Sequence, residues 1–119
     1  MFMFIKSEYG ETVNVNKVLV IELENQNDQY LLRLHTKHTS ALLRYDSERA
    51  RQERLMSLLM ASSKTAWVPF ADRFYLRQSE VEAILETSTT ATIFIGDKKF
   101  EFVTKTTTLN DIPKWSLGG

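Results

Sequence analysis

Apolar and polar positions alternate with a period of two along most of this chain, and they shift to a helical period in one place only. Glu11 to Val15 puts Val13 and Val15 on one face. The run Val18-Leu19-Val20-Ile21-Glu22-Leu23 within Lys17 to Glu24 is then almost continuously apolar and β-branched, the pattern of a strand covered on both sides. Asn25-Gln26-Asn27-Asp28 is a polar turn cluster. Gln29 to Thr36 resumes with Tyr30, Leu32 and Leu34 on one face and Leu31 and Arg33 on the other. His35 to His38 predicts a loop, and Thr39 to Tyr45 a further strand. The opening Met1-Phe2-Met3-Phe4-Ile5 is apolar but too short for a signal segment or a membrane span, and reads as a first or edge strand.

The period changes after Tyr45. Asp46 or Ser47 is an N-cap candidate, Glu48 sets an acid at the positive end of a helix, and Leu55, Leu58 and Leu59 recur at helical spacing, with Met56 and Met60 widening the stripe. One helix is predicted from Ser47 to Met60, its first turns polar nearly all round. Ser62 to Thr65 forms the exit. Ala66 to Phe70 is extended, and Pro69 argues against a central place in a sheet. Phe74 to Arg77 is a short strand, and Val81 to Glu86 echoes the first buried strand, with Val81, Ala83 and Ile84 where Val18, Val20 and Ile21 stand. Ile93 to Val103 is the clearest local signal: a β-rich run folded back at Gly96-Asp97, a pair suited to a two-residue hairpin. Gln29 to Tyr45 is a looser version of the same arrangement. The sequence leaves open whether this is a duplicated β-meander or two unrelated antiparallel runs. The Thr-rich stretch after Val103 and Leu109 to Trp115 read as a turn and a docked tail.

The 119 residues, 43% of them apolar and 25% charged, suit one compact domain over residues 1–119. The fold class is mainly β with one central helix (α+β), drawn as an antiparallel β barrel or half-barrel. Cysteine is absent, which removes disulfides, thiolate metal sites and thiol nucleophiles and agrees with a cytoplasmic location. Net charge is zero but unevenly spread: residues 33–64 carry seven basic and three acidic side chains, against two and five in residues 1–28. A basic island of this kind is either an anion-binding face or a solvated helix flank.

Arg44, Arg49, Arg51 and Arg54 are the nucleic-acid contact candidates, with Tyr45 or Tyr30 as a stacking ring, because the guanidinium fork binds phosphate bidentately and aromatic rings stack on bases. Glu48 with Arg51 and Arg49 with Glu53 stand at ion-pairing spacing, so a self-neutralised surface is the competing reading. Lys37, between His35 and His38, is a further phosphate candidate. The two histidines alone do not make a metal site, and no metal or cofactor is expected. Trp67, Phe70, Phe74, Tyr75 and Trp115 read as core and edge cover before they read as a ligand groove. Asp46 with Glu48, or Asp72 with Glu80, lack the context of a catalytic pair, so an enzyme is not expected.

In size, absence of Cys, strand-rich layout and basic middle, the stretch from Phe4 to Val103 resembles the PrgU family. It includes Gly10-Glu11-Thr12-Val13-Asn14-Val15-Asn16 and the Arg-bearing helix. This family comprises small PUA-like RNA-binding regulators of Gram-positive pheromone-responsive conjugative plasmids. The resemblance implies a cytoplasmic, non-enzymatic regulator that binds RNA and limits synthesis of a surface adhesin after transcription. One visible helix departs from a simple PUA pattern. A protein-interaction module, homodimeric through a strand edge or through Trp67 to Phe70, is the alternative, and the terminal Gly118-Gly119 also matches the tail of a ubiquitin-like carrier.

Overall fold

The computed structural model describes residues 4–7, 9–61 and 66–103. The chain runs β1 (Phe4–Lys6), β2 (Thr12–Asn14), β3 (Val20–Gln26), β4 (Gln29–His35), β5 (Ser40–Tyr45), α1 (Glu48–Ala61), β6 (Trp67–Phe70), β7 (Phe74–Arg77), β8 (Val81–Glu86), β9 (Thr90–Ile95) and β10 (Lys98–Val103). Short 3-10 turns at Val15–Lys17 and Gln78–Glu80 precede β3 and β8. All strand pairs are antiparallel. They form a two-stranded β1-β2 hairpin, a five-stranded sheet in the order β5-β4-β3-β7-β6 and a three-stranded sheet in the order β10-β9-β8.

The five-stranded sheet is the middle layer. On one face Ile21, Leu32, Leu34 and Leu43 meet Leu55 and Leu58 of α1, with Ile5 and Val13 of the first hairpin and Val15 of the following 3-10 turn beside them. On the other face Val20, Phe70, Phe74 and Leu76 meet Ile84, Ala91, Ile93 and Ile95 of the three-stranded sheet. The apolar run of β3 is thus explained: Val20 faces one core and Ile21 the other, so the strand has no polar side in that stretch. The sheets are not closed into a barrel. A barrel closes by pairing the two terminal strands of a sheet, whereas β5 and β6 end the middle sheet as edges. The barrel or half-barrel, PUA-like arrangement is corrected accordingly to a mainly β fold with one helix and stacked antiparallel sheets.

Local signals worked where turn chemistry or capping is explicit. Ser47 accepts the Ala50 N–H through its hydroxyl at 3.1 Å and caps α1. Pro69 lies on edge strand β6 and is exposed. Asn27 and Asp28 both take positive φ in the two-residue β3–β4 turn, and Gly96 and Asp97 do so between β9 and β10. Ala71 and Asp72 do the same between β6 and β7 without a glycine to announce it. Helix α1 departs from its predicted polar first turns at one position, Arg51, which is buried.

The two halves of the chain repeat their order and register. In the first hairpin Phe4, Ile5 and Lys6 face Asn14, Val13 and Thr12; in the β6–β7 hairpin Trp67, Val68 and Pro69 face Arg77, Leu76 and Tyr75 in the same sequence. Each hairpin leads into a 3-10 turn closed by the same bond, from the Val18 N–H to the Val15 carbonyl and from the Val81 N–H to the Gln78 carbonyl. Each turn leads into a three-stranded meander in which Ile21, Leu34 and Ala41 correspond to Ile84, Ile93 and Phe100. The turns Lys37-His38 and Gly96-Asp97 occupy equivalent places.

At Gly96, φ is +53° and a Cβ would lie 2.8 Å from Leu19 Cδ1, so both backbone and packing select glycine. Replacing Gly96 with Ala is expected to lower unfolding free energy by about 1–3 kcal/mol in urea denaturation, more than a bare left-handed penalty alone.

Candidate nucleic-acid interface

The strand ends nearest the Lys37-His38 turn form an open cleft of about 800 Å3. One wall comes from the end of β2 and the following 3-10 turn, with Asn14, Asn16 and Lys17. The second 3-10 turn and β8 contribute Ser79, Glu80 and Glu82 to the same lining. The turn residues Lys37, His38 and Asp97 rim it. These groups meet because the equivalent turns of the two meanders are stacked: Lys37 Nζ lies 3.2 Å from Asp97 Oδ2, and Lys98 Nζ donates to the Thr36 carbonyl at 3.1 Å. The Lys37–Asp97 pair is exposed on both sides and contributes little by itself.

Arg77 forms part of the cleft lining and is itself 6% exposed. Its Nε donates to the Val18 carbonyl at 2.7 Å and its Nη2 to the Val15 carbonyl at 2.9 Å, while the guanidinium lies 4.5 Å from the Trp67 ring centroid. Burial pushes its pKa below the ordinary arginine value, with Glu80 pulling the other way. An arginine in this setting keeps its charge, so a fixed cation underlies the cleft.

The residues chosen from the sequence are distributed differently. Lys37 lies at the cleft, at one end of the β4–β5 hairpin; Arg44, Tyr45 and the helix arginines lie at the other. Tyr45 is half-buried and packs against the helix-side core. Arg51 is 6% exposed: its Nη1 donates to the Glu24 carbonyl at 2.8 Å and to Asn25 Oδ1 at 2.6 Å, and its guanidinium sits 5.2 Å from the Tyr30 ring. It holds α1 to the β3–β4 hairpin and is a fold residue. Arg49 is exposed and pairs with Glu53 at 3.5 Å, at the spacing read from the sequence. Arg44 and Arg54 are exposed. Arg54 lies five positions beyond Arg49, which turns the two about 140° apart on the helix, so the arginines do not share one face.

His35 belongs to β4, with Nε2 3.0 Å from Glu22 Oε1 and its ring edge-on to Phe100 at 5.0 Å, while His38 is exposed at the turn. Among the described residues no cluster of three or more His, Asp or Glu side chains could hold a metal ion. Among them, too, no helix is long and apolar enough to cross a membrane. The Gly118-Gly119 tail and Leu109 to Trp115 lie outside the described residues. The contribution of Lys17, Asn14, Asn16 and Ser79 was not read from the sequence, because residues from both halves of the chain meet only through the stacking of the two meanders. The echo between Val18 to Ile21 and Val81 to Ile84 was the available signal.

No family model matches the chain, and no curated protein matches it. The fold is similar to the LytTr DNA-binding domain of a methyl-accepting/DNA response regulator from Bacillus cereus, with 13% identity, 84% of each chain covered and a TM-score of 0.49. The resemblance to the PrgU family is corrected: no family model matches the chain, and its sheets stack open where the PUA-like barrel was expected.

Two expectations follow from the buried polar groups. Arg51→Met keeps the bulk of the side chain but strands the Glu24 carbonyl and Asn25, and should cost about 2–3 kcal/mol in thermal or urea unfolding, whereas Arg49→Met at the exposed pair should change stability by under about 0.5 kcal/mol. For Glu22, burial pushes the carboxyl pKa up, but the His35 hydrogen bond and charge, followed by Arg73 and Arg33, outweigh it and leave the group below 4.5. A depressed carboxylate contributes stability that is complete above its unfolded pKa and is lost as pH falls through the folded value. Stability should therefore fall as pH drops below 4.5, and Glu22→Gln should flatten that part of the profile in pH-resolved urea titrations.

Proposed function

We propose that this protein is a non-catalytic regulator that binds nucleic acid through the cleft beside the Lys37-His38 turn. The observation that carries the reading is the mixed lining of the cleft: Lys17, Lys37 and His38 together with Asn14, Asn16, Glu80 and Glu82. Lysines position a phosphate backbone, and amide and carboxylate groups read base edges, the carboxylates accepting from exocyclic amines. The weak Lys37–Asp97 pair releases Lys37 to a phosphate at small cost. From the cleft, the edge of β5 leads about 20 Å toward Arg44. There Arg44, Arg49 and Arg54 supply outlying phosphate contacts. RNA is the preferred ligand in this reading, carried by a single compact domain that arose by duplication of a hairpin and meander unit.

The test is fluorescence anisotropy with labelled random single-stranded RNA, single-stranded DNA and duplex DNA, beginning at about 50 mM salt. Affinity should fall with added salt, and Lys17→Ala and Lys37→Ala should each weaken binding roughly 3- to 10-fold and reduce the salt slope by about one unit at most. Tighter binding of duplex DNA than of RNA would replace the ligand while keeping the site. Absence of binding by any of the three at low salt, or an unchanged affinity in a variant carrying both Lys17→Ala and Lys37→Ala, would remove the proposal.

A further inference from the structure

The repeat within the chain leaves two strand edges whose equivalents are paired. In the second half, the hairpin β6–β7 does not add to its own meander; β7 adds antiparallel to β3, the first strand of the preceding meander, with Leu76, Tyr75 and Phe74 opposite Val20, Ile21 and Glu22. By the shared register, β2 is the counterpart of β7 and β8 the counterpart of β3. Among the described residues β8 pairs only with β9 and β2 only with β1, so each has an open edge. The fold therefore contains one worked example of an edge contact and, at its two ends, the halves of another.

The side chains around these edges fit the same contact. Trp67 and Tyr75 are the aromatic residues by which the β6–β7 hairpin packs onto the helix-side core of the preceding layer. Their counterparts Phe4 and Thr12 are exposed, Phe4 at 61%. On the receiving strand, Leu85 is 58% exposed. Other edges are blunted: β10 carries Lys98, Lys99 and Glu101, β6 carries Pro69, and β5 carries Arg44. β8 turns Ile84 into the core and presents Ala83 and Leu85 on the other face, with Glu82 and Glu86 towards its ends. A large exposed apolar residue at each end, where the internal equivalent of one is already covered, favours a second copy of this chain over an unrelated strand, because only a second copy brings the hairpin whose register is already established.

We propose that the open edge of β8 receives the β1–β2 hairpin of a second copy, antiparallel, in the register by which β7 joins β3. Val13 of the incoming hairpin then stands opposite Ala83, Thr12 opposite Ile84 and Glu11 opposite Leu85. The contact is heterologous, one copy giving a hairpin and the other an edge, so it builds a ring or a reciprocal pair if the geometry closes and a filament if it does not. The added strand pair extends the outer three-stranded sheet as β6–β7 extends the middle one.

The natural absence of cysteine makes the test clean. Two full-length single-cysteine proteins, Glu11→Cys and Leu85→Cys, are mixed without nucleic acid and oxidised mildly; a covalent dimer should form in the mixture, well in excess of that in a control mixture of Gln26→Cys with Leu85→Cys. In sedimentation equilibrium the unmodified protein should rise with concentration from its 13.8 kDa monomer to at least twice that mass, and both Phe4→Asp and Leu85→Lys should hold it at the monomer mass. A monomer at every concentration would overturn the proposal. So would association that persists in both variants, or cross-linking no greater than in the control mixture.

Discussion

The join between β7 and β3 is the contact on which the rest of the structure depends. It places a hairpin from the second half of the chain into the sheet of the first half, and so fixes the three-stranded sheet against one face of β3 while α1 occupies the other. Arg77 reinforces the join at its end: its backbone N–H donates to the Leu19 carbonyl at 2.9 Å while its guanidinium holds the carbonyls of the turn that leads into β3. A buried guanidinium is tolerated there because its donors meet backbone carbonyls and its face lies over Trp67, replacing the hydration it gave up. Without that strand pairing the β6–β7 hairpin would leave the middle sheet, and the second core would lose Phe70, Phe74 and Leu76 from its floor.

The cleft is a consequence of the same stacking. Because the two meanders lie in successive layers with equivalent turns adjacent, Lys37-His38 and Gly96-Asp97 are brought together, and residues of both 3-10 turns line the same opening. A site of mixed charge thus arises from a chain of zero net charge, with one wall contributed by each half. The basic helix, by contrast, disperses its charge: Arg51 is consumed in fixing α1 to the β3–β4 hairpin, Arg49 is matched by Glu53, and Arg54 faces elsewhere. Charge counted along a sequence window and charge presented on a surface are different quantities, since a helix turns neighbouring residues away from one another.

Much of the architecture was legible from local pattern. The hairpin at Gly96-Asp97, the cap at Ser47, the single helix, the edge position of Pro69 and the faces of Gln29 to Thr36 each rest on one or a few residues whose geometry is intrinsic. The burial of β3 on both sides was legible too, because an apolar run without alternation has no solvent face. Of the candidate site, Lys37 and His38 were visible as a basic turn, while Lys17 and the asparagines beside it were not.

What the sequence by itself determined, then, is the inventory of strands, the one helix and the tight turns, all set by periodicity and by backbone preferences acting within a few residues. Tertiary structure alone decided that the sheets stack open instead of closing into a barrel, that Arg51 and Arg77 point inward to carbonyls, and that two turns from different halves share one cleft. Those outcomes depend on which strand takes the edge of β3, a choice between contacts distant in the chain. Local pattern is silent about such a choice because every candidate edge offers the same backbone hydrogen bonds; side-chain packing on both faces of β3 selects among them.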